Sequence, residues 1–249
     1  MNRFFGRSHN IYEDYIIIDG TDVNHIRNVL RMKPGDRLTV TGGNSREYIC
    51  AIREIGQDEV ILDIVEEKEA DSELPARIHL FQGLPKGDKM ELIIQKCVEL
   101  GVYEIIPVAM KRSVVKLDDK KAAARISRWQ AISEGAAKQS GRAVIPNVHS
   151  VMNFSDAVEY ASGMDMKLIP YELFEGMDSA KEFLSGIKAG MDVAVFIGPE
   201  GGIDEAELYA AVNVGANPIS LGRRILRTET AGMALMAIIM YNLEVQESK

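Results

Sequence analysis

Three short segments in the C-terminal half of the sequence combine residues suited to ligand binding with a position directly after a predicted strand. They are residues 168–172, 197–202 and 220–230. The second contains three glycines and a proline in five positions, and glycine lets a backbone approach a ligand closely. Ligands of open α/β sheets bind where the strands end at the carboxyl edge. We therefore expect the three segments to form one site.

The third segment carries Arg223, Arg224 and Arg227 beside an apolar helix. Guanidinium groups in such surroundings are unfavourable unless they meet anions or acidic side chains. A functional role for these arginines is therefore favoured, and pairing with Glu200 or Glu229 is the structural alternative. For the glycine-rich segment the structural alternative is a tight strand-to-helix connection.

Several common kinds of site are absent from the sequence. Neither G-x-G-x-x-G, G-x-x-x-x-G-K-[ST] nor G-x-S-x-G occurs, and the four histidines lack metal-ligand spacing. Cys97 lies on the apolar face of a predicted helix and is expected to be a buried thiol. The sequence thus gives no support for a dinucleotide-binding enzyme, a P-loop NTPase, a hydrolase or a metalloenzyme. No metal is expected. The N-terminus lacks a signal peptide and the longest apolar run, near 231–243, is too short to span a bilayer, so we expect a cytoplasmic protein without membrane segments.

The elements that must position these segments change character along the chain. Residues 11–65 form a small, mostly β unit, with strands at 15–18, 37–41, 48–52 and 60–65 and a helix near 23–30. The acidic stretch 66–73 is interpreted as a linker. After Pro75 strands alternate with helices, which predicts a parallel sheet with helices on both faces. Capping boxes are predicted at three helix starts, namely Asp88 with Glu91, Ser179 with Glu182 and Asp204 with Glu207.

Charge is distributed unevenly between these parts. The 29 Lys and Arg and 37 Asp and Glu give a net charge of -8, which argues against a nucleic-acid partner. Residues 1–76 carry 9 bases and 15 acids (-6), residues 77–145 carry 13 and 7 (+6), and residues 146–249 carry 7 and 15 (-8). Basic side chains at loops and helix ends are predicted to contact RNA phosphates, with a solvated charged face as the alternative. They are Arg3, Arg7, Arg27, Arg31, Lys86, Lys89, Arg112, Lys138 and Arg142.

Several motifs, in order over nearly the whole chain, make the sequence similar to a known family. They are residues 25–31 (HIRNVLR), 82–91 (QGLPKGDKME), 95–102 (QKCVELGV), 137–142 (AKQSGR), 197–202 (IGPEGG) and 221–231 (LGRRILRTETA). The chain resembles the RsmE family, the 16S ribosomal RNA uridine-N3 methyltransferases of the SPOUT class. The combination of the last two motifs is the most specific part of the resemblance.

The resemblance implies a PUA-like β-barrel for RNA binding over residues 1–70 and a SPOUT methyltransferase domain over residues 74–249. The second domain would be an α/β fold with a parallel sheet and a deep trefoil knot. The resemblance further implies a homodimer that acts on 16S ribosomal RNA, expected within the assembled small subunit. It assigns the three segments to S-adenosylmethionine. The residues expected to bind the cofactor are Leu168, Pro170, Tyr171, Ile197, Gly198, Pro199, Glu200, Gly201, Gly202, Leu221, Gly222, Arg224, Ile225 and Leu226; Glu172 is a further candidate.

Methylation at N3 of uridine requires loss of the N3 proton, which a carboxylate could accept while a cation stabilises the developing anion. Glu200 and Glu229 are the candidate bases and Arg227 is the candidate cation. Two other functions stay open at this point. One is 2′-O-ribose methylation by a SPOUT relative, and the other is a non-catalytic RNA-binding or ribosome-associated protein with a degenerate site.

Overall fold

The computed structural model describes residues 2–6, 8–42, 46–171 and 178–247. The chain divides into two compact units. The first comprises Met1–Glu73 together with Ala137–Ile145, and the second comprises Leu74–Ala136 together with Pro146–Lys249.

The first unit contains a five-stranded sheet, made of the four predicted strands and a further strand at Arg3–Phe5 that was not predicted. Its strands are β1 (Arg3–Phe5), β2 (Tyr15–Asp19), β3 (Arg37–Thr41), β4 (Arg46–Ile55) and β5 (Glu59–Glu69), in the order β1-β3-β4-β5-β2. All neighbours are antiparallel except β1 and β3. Alternate residues of β2, such as Ile16 and Ile18, are buried, as expected for a strand with one face on a core. The predicted helix is a short α1 (Thr21–Asn24) followed by a π-helical turn at His25–Val29.

The interpretation of residues 66–73 as a linker is wrong in its first half, because β5 continues to Glu69. The acidic side chains there are accommodated by bases on the paired strand and within β5. Glu67 pairs with Arg46, and Lys68 lies 3.2 Å from Glu47. Charge density alone therefore did not mark the end of the strand.

The second unit contains a sheet in which every pair of neighbouring strands is parallel, which confirms the predicted α/β fold. Its order is β12-β10-β11-β6-β7, with β8 and β9 both paired to β7. The strands are β6 (Arg77–Gly83), β7 (Glu104–Ala109), β8 (Asn147–Val148), β9 (Met152–Asn153), β10 (Met166–Pro170), β11 (Asp192–Ile197) and β12 (Asn217–Ile219). Parallel pairing brings the carboxyl ends of the strands to one edge, and that edge carries all three segments singled out above.

The helices of eight or more residues are α2 (Lys89–Glu99), α3 (Asp119–Ser140), α4 (Phe154–Ala161), α5 (Asp178–Gly186), α6 (Glu205–Asn213) and α7 (Thr228–Glu247). In the second unit, α7 packs on α2, α5 and β11, whereas α4 packs on α6 and β7. Phe81 and Phe196 stack at 4.5 Å in the core cluster that includes Ala157 of α4 and Ala211 of α6. Part of the loop after β10, residues 172–177, lies outside the described residues, and the trefoil knot remains a prediction.

The capping boxes have three different outcomes. The box of Asp204 and Glu207 is confirmed, with both reciprocal hydrogen bonds present. The box at Asp88 is wrong, because this residue has φ -96° and ψ 11° rather than the extended backbone of an N-cap, and its side chain makes no capping bond. Glu91 contacts Arg128 instead. Ser179 lies where side chains are not described.

Both cysteines, Cys50 and Cys97, are free and fully buried, and burial raises the pKa of each thiol to about 12. No helix in the described part of the chain combines the length and the apolar character that crossing a membrane requires.

Candidate functional site

A cavity of about 440 Å³ at the carboxyl edge of the parallel sheet brings the three predicted segments together. Its volume lies in the range of small-molecule sites, about 300–1,000 Å³. We call it the three-loop cavity. Of the residues expected to bind a cofactor, the cavity is lined by Pro170, Tyr171, Ile197, Gly198, Pro199, Glu200, Gly202, Leu221, Gly222, Arg224, Ile225 and Leu226.

Two expected cofactor residues do not line the cavity. Leu168 is fully buried inside β10, where it pairs with β11 and β12, so it supports the sheet instead. Gly201 faces Arg112, since a Cβ built on it would lie 3.0 Å from the Cβ of Arg112 and 3.2 Å from its carbonyl oxygen. Glu172 lies outside the described residues.

The glycine-rich loop after β11 owes its course to close contacts between backbones. Gly202 has φ +70°, and its amide donates to the carbonyl of Pro199 at 2.9 Å. Gly83, at the end of β6, touches the same loop, because a Cβ there would lie 2.7 Å from both the nitrogen and Cδ of Pro199. Gly83 belongs to the QGLPKGDKME motif, but sequence reasoning assigned it no role.

A buried hydrogen-bond relay ties this loop to the start of α7. The hydroxyl of Thr228 donates to the carbonyl of Gly198 at 2.6 Å and accepts from the side-chain amide of Gln82 at 2.9 Å. The same amide donates to the carbonyl of Gly83 at 3.0 Å. Gln82 and Thr228 were likewise missed, and their presence in the two family motifs was the only available signal.

Lys89, the first residue of α2, forms ion pairs with both candidate bases. Its Nζ lies 2.9 Å from Oε1 of Glu200 and 3.4 Å from Oε2 of Glu229. Burial raises the pKa of Glu200, but the hydrogen bonds from Lys89 and from the Lys86 backbone outweigh it and hold that pKa below its ordinary value. The hydrogen bond to Glu200 in turn raises the pKa of Lys89. Glu200 is therefore held as an ionised anchor of the loop.

The three arginines of the third segment are exposed. None of them forms an ion pair with the side chains that the structure describes, so the suggested pairing with Glu200 or Glu229 is wrong. Lys89 pairs with both carboxylates instead. Arg224 and Arg227 line the three-loop cavity, and Arg223 does not. The third segment consequently contributes two exposed positive charges to the cavity lining.

Several of the basic residues expected to face RNA are instead engaged with acids. Arg142 is only 3% exposed, and its Nε donates to both carboxylate oxygens of Glu73 at 3.0 and 3.1 Å. Because a buried charge requires a partner, we correct the expectation that Arg142 contacts RNA. Lys138 lies 3.2 Å from Asp22, and Arg3 pairs with Glu47.

The other basic residues differ in their exposure to solvent. Arg27, Arg31 and Lys86 are exposed. Arg112 lines the three-loop cavity and donates to the carbonyl of Gly201 at 3.2 Å, whereas Lys89 is committed to the two glutamates. Arg7 lies outside the described residues. In the described part of the chain, no group of three or more His, Cys, Asp or Glu side chains is arranged to hold a metal ion.

Comparison with known proteins adds sequence and structural relatives. The family model described as RNA methyltransferase domain matches residues 72–240, and that described as RNA methyltransferase PUA domain matches residues 18–65. Ribosomal RNA small subunit methyltransferase E of Bacillus subtilis is 37% identical over 231 residues, which is 92% of this chain and 90% of the relative. Its namesake in Mesomycoplasma hyopneumoniae is 31% identical over 249 residues, covering 95% and 97%. A crystal structure of the Neisseria gonorrhoeae protein of that name, bound to S-adenosyl methionine, has a TM-score of 0.84, 31% identity and 97% coverage of both chains.

Proposed function

Because this chain belongs to the ribosomal RNA small subunit methyltransferase E family, we propose that it transfers a methyl group from S-adenosylmethionine to N3 of a specific uridine in 16S ribosomal RNA. The observation that carries the proposal is the three-loop cavity, which joins the family's two most specific motifs at the carboxyl edge of the sheet. We assign RNA binding to residues 1–70 and catalysis to residues 74–249. The PUA and RNA methyltransferase matches support that division.

The residues of the cavity fit S-adenosylmethionine. Gly198 and Gly222 bring the backbone to the wall of the cavity, while Leu221 and Leu226 provide apolar contact for a purine. Glu200 is ionised at neutral pH and lines the cavity, which favours a cationic ligand there. When bound, the cofactor supplies an electrophilic methyl group on a sulfonium centre.

The two candidate bases differ in their surroundings. Glu200 accepts hydrogen bonds from Lys89 and from the Lys86 backbone, which hold it in place and weaken it as a base. Glu229 does not line the three-loop cavity, and its Oε2 is buried 3.4 Å from Nζ of Lys89. We therefore keep both carboxylates as candidate acceptors of the uridine N3 proton, Glu200 in the cavity lining and Glu229 next to the lining residue Thr228. A well-placed general base contributes about 10²–10⁴-fold to the rate.

Arg227 is assigned to stabilise the negative charge that develops on the uracil carbonyl oxygens. Arg227→Ala is expected to leave cofactor affinity within several-fold and to lower single-turnover methylation by about 10²-fold. Arg223→Ala is the matched control, since Arg223 is exposed on the same segment but does not line the cavity. Unchanged single-turnover kinetics in Arg227→Ala would refute the assignment.

The nature of the product separates this function from its two alternatives. Small-subunit RNA from a strain lacking the protein should lack one methylated uridine, and the purified protein should restore it. Nuclease digestion and mass spectrometry should place the methyl group on the base. A methyl group on the ribose would support the 2′-O alternative, and failure to bind S-adenosylmethionine would support a non-catalytic RNA-binding protein.

We further propose that the protein is a cytoplasmic homodimer and that its substrate is the assembled small subunit. Exposed apolar side chains on the packed pair α2 and α7 support a subunit contact, namely Leu92, Ile238 and Tyr241, which are 43%, 41% and 66% exposed. Tyr241→Lys should shift the sedimentation coefficient toward that of a monomer. Comparing the methylation rates of small subunits and of protein-free RNA tests the substrate.

A further inference from the structure

A second cavity of about 1200 Å³ lies at the same carboxyl edge of the parallel sheet. It is bounded by the segment after β7, by one face of α3 and by residues of 147–151. We call it the α3 groove. Residues 111–113 lie between the groove and the three-loop cavity, since Lys111 and Ser113 line the groove and Arg112 lines the cavity.

The floor of the α3 groove combines aliphatic side chains with one unsatisfied polar group. Met110, Val115 and Ile126 provide apolar surface. Ser113 is 8% exposed, and its hydroxyl makes no hydrogen bond with any described residue. This oxygen is covered by protein atoms, so the aliphatic side chains are the part of the floor available to a ligand.

The segment that forms one side of the groove and continues into α3 is strongly basic. Residues 111–128 contain seven Lys and Arg and two Asp, a net charge of +5. Lys116, Lys120 and Arg125 form no ion pair with side chains in the described ranges, and Lys116 lines the groove itself. These positions favour a polyanionic partner.

We propose that the α3 groove binds a single-stranded stretch of the RNA substrate beside the nucleotide that enters the three-loop cavity; this inference rests on the proposed function. The groove exceeds the about 300–1,000 Å³ of small-molecule pockets, which favours a polymer. Aliphatic side chains match the faces of unstacked bases, and the basic side chains match phosphates. Single-stranded RNA with splayed bases is the form that proteins most often read by sequence.

A pair of neighbouring substitutions on α3 tests the proposal. Ala123 and Ala124 are both exposed, but only Ala123 lines the groove. Ala123→Phe should raise the Kd for unmethylated small-subunit RNA, measured by filter binding, by about tenfold, the worth of one base contact. Ala124→Phe should change it less than twofold, and calorimetry should show equal S-adenosylmethionine affinity in both variants.

A second variant keeps the test informative if Ala123→Phe does not fold. Lys116→Gln should lower the slope of log affinity against log salt by about 1, whereas Lys188→Gln, with an exposed lysine outside the groove, should leave it unchanged. Equal Kd values for the two phenylalanine variants, or an unchanged slope, would overturn the proposal. A change of oligomeric state in Ala123→Phe with RNA affinity intact would assign the groove to a second copy of the chain instead.

These binding measurements do not depend on catalysis. If the wild-type protein methylates no small-subunit RNA but Ala123→Phe alone weakens RNA binding, the groove assignment holds and the proposed function fails. If methylation occurs and both variants bind RNA equally well, the groove assignment fails alone.

Discussion

Replacing Asp192 by asparagine is expected to lower the free energy of unfolding of the second unit at neutral pH by about 1–2 kcal/mol. Arg77 donates to both carboxylate oxygens of Asp192 at 2.6 and 2.5 Å, and Nε2 of His79 lies 2.9 Å from Oδ1. The hydrogen bond from Arg77 is the largest cause that lowers the pKa of Asp192 from 3.8 to about 2. That difference corresponds to about 2 kcal/mol, which solvent screening reduces because the side chain is 29% exposed.

The pH dependence of this effect follows from the direction of the shift. A carboxyl group with a lowered pKa in the folded state stabilises the protein above its ordinary pKa, and the contribution disappears as the pH falls through the folded value. The difference between wild type and Asp192→Asn should therefore be fully present above about pH 4 and should shrink toward pH 2. Arg77 stays protonated throughout and does not change this sign.

His79 adds a second change of this stability difference with pH, at higher pH. Burial lowers the pKa of His79, but hydrogen bonds with Glu104 and Asp192 outweigh it and raise that pKa above 6.5. Nδ1 lies 2.7 Å from Glu104, so each ring nitrogen faces a carboxylate, which favours the imidazolium form of the ring. A histidine whose pKa is raised on folding stabilises the fold below its ordinary pKa. This stabilisation is lost as the pH rises through the pKa of the folded state. The effect of Asp192→Asn should thus also decrease partly on the alkaline side.

Urea unfolding followed by tryptophan fluorescence measures this effect in the relevant unit. Trp129 is the only tryptophan of the chain, is 3% exposed and belongs to the second unit. Glu91→Gln is the control, because it removes a carboxylate from a pair whose partner Arg128 is 66% exposed, and such pairs contribute about 0–1 kcal/mol. A difference between wild type and Asp192→Asn that is constant from pH 2 to pH 7, or no larger than that of the control, would refute the reasoning.

Three further substitutions test the site and the first unit. Lys89→Met removes the hydrogen bond that anchors Glu200 and its loop, so S-adenosylmethionine affinity should fall about tenfold by calorimetry. Loss of that bond also raises the pKa of Glu200, so the acid limb of the rate profile should move to higher pH. Lys86→Met, which keeps its backbone hydrogen bond, should change neither. Gly83→Ala places a methyl group 2.7 Å from the loop proline and should lower cofactor affinity at least about tenfold, whereas Gly163→Ala, with no atom within 4 Å, should not. Glu73→Gln removes the charged partner of a buried arginine and should destabilise the first unit by about 3 kcal/mol in circular dichroism melts; an unchanged melt would contradict that pairing.

The sequence allowed the elements of the second unit to be predicted well because their signals are local. Runs such as residues 193–197 are continuously apolar, which is typical of strands covered on both faces, and the structure buries all five. The end of β5 was not predictable in this way, because its last residues are stabilised by charges on the paired strand. The box at Asp88 failed for a related reason, since its spacing was right but the backbone at the helix start is not extended.

The three segments of the candidate site could be predicted from the sequence, but the roles of some individual residues could not. The rule that ligands bind at the carboxyl edge selected three segments, and they share one cavity. Leu168 was included because it is adjacent to the edge, but it lies inside the sheet. Lys89 was assigned to RNA because sequence shows the sign of a charge and not its partner. The glutamates that neutralise it lie more than a hundred residues away.

The same limitation applies to the basic block of residues 77–145. Its net charge of +6 correctly drew attention to a basic region, but a net charge counts cations that acids already neutralise. Arg142 and Lys89 lie in that block and are paired with acids, whereas Lys86, Lys116 and Arg125 form no ion pair among the described side chains. Counterion release depends on the phosphates that cations neutralise on binding. The slope of log affinity against log salt for RNA binding should therefore follow the number of unpaired cations. It should be smaller than the slope expected from the total number of basic residues in the sequence.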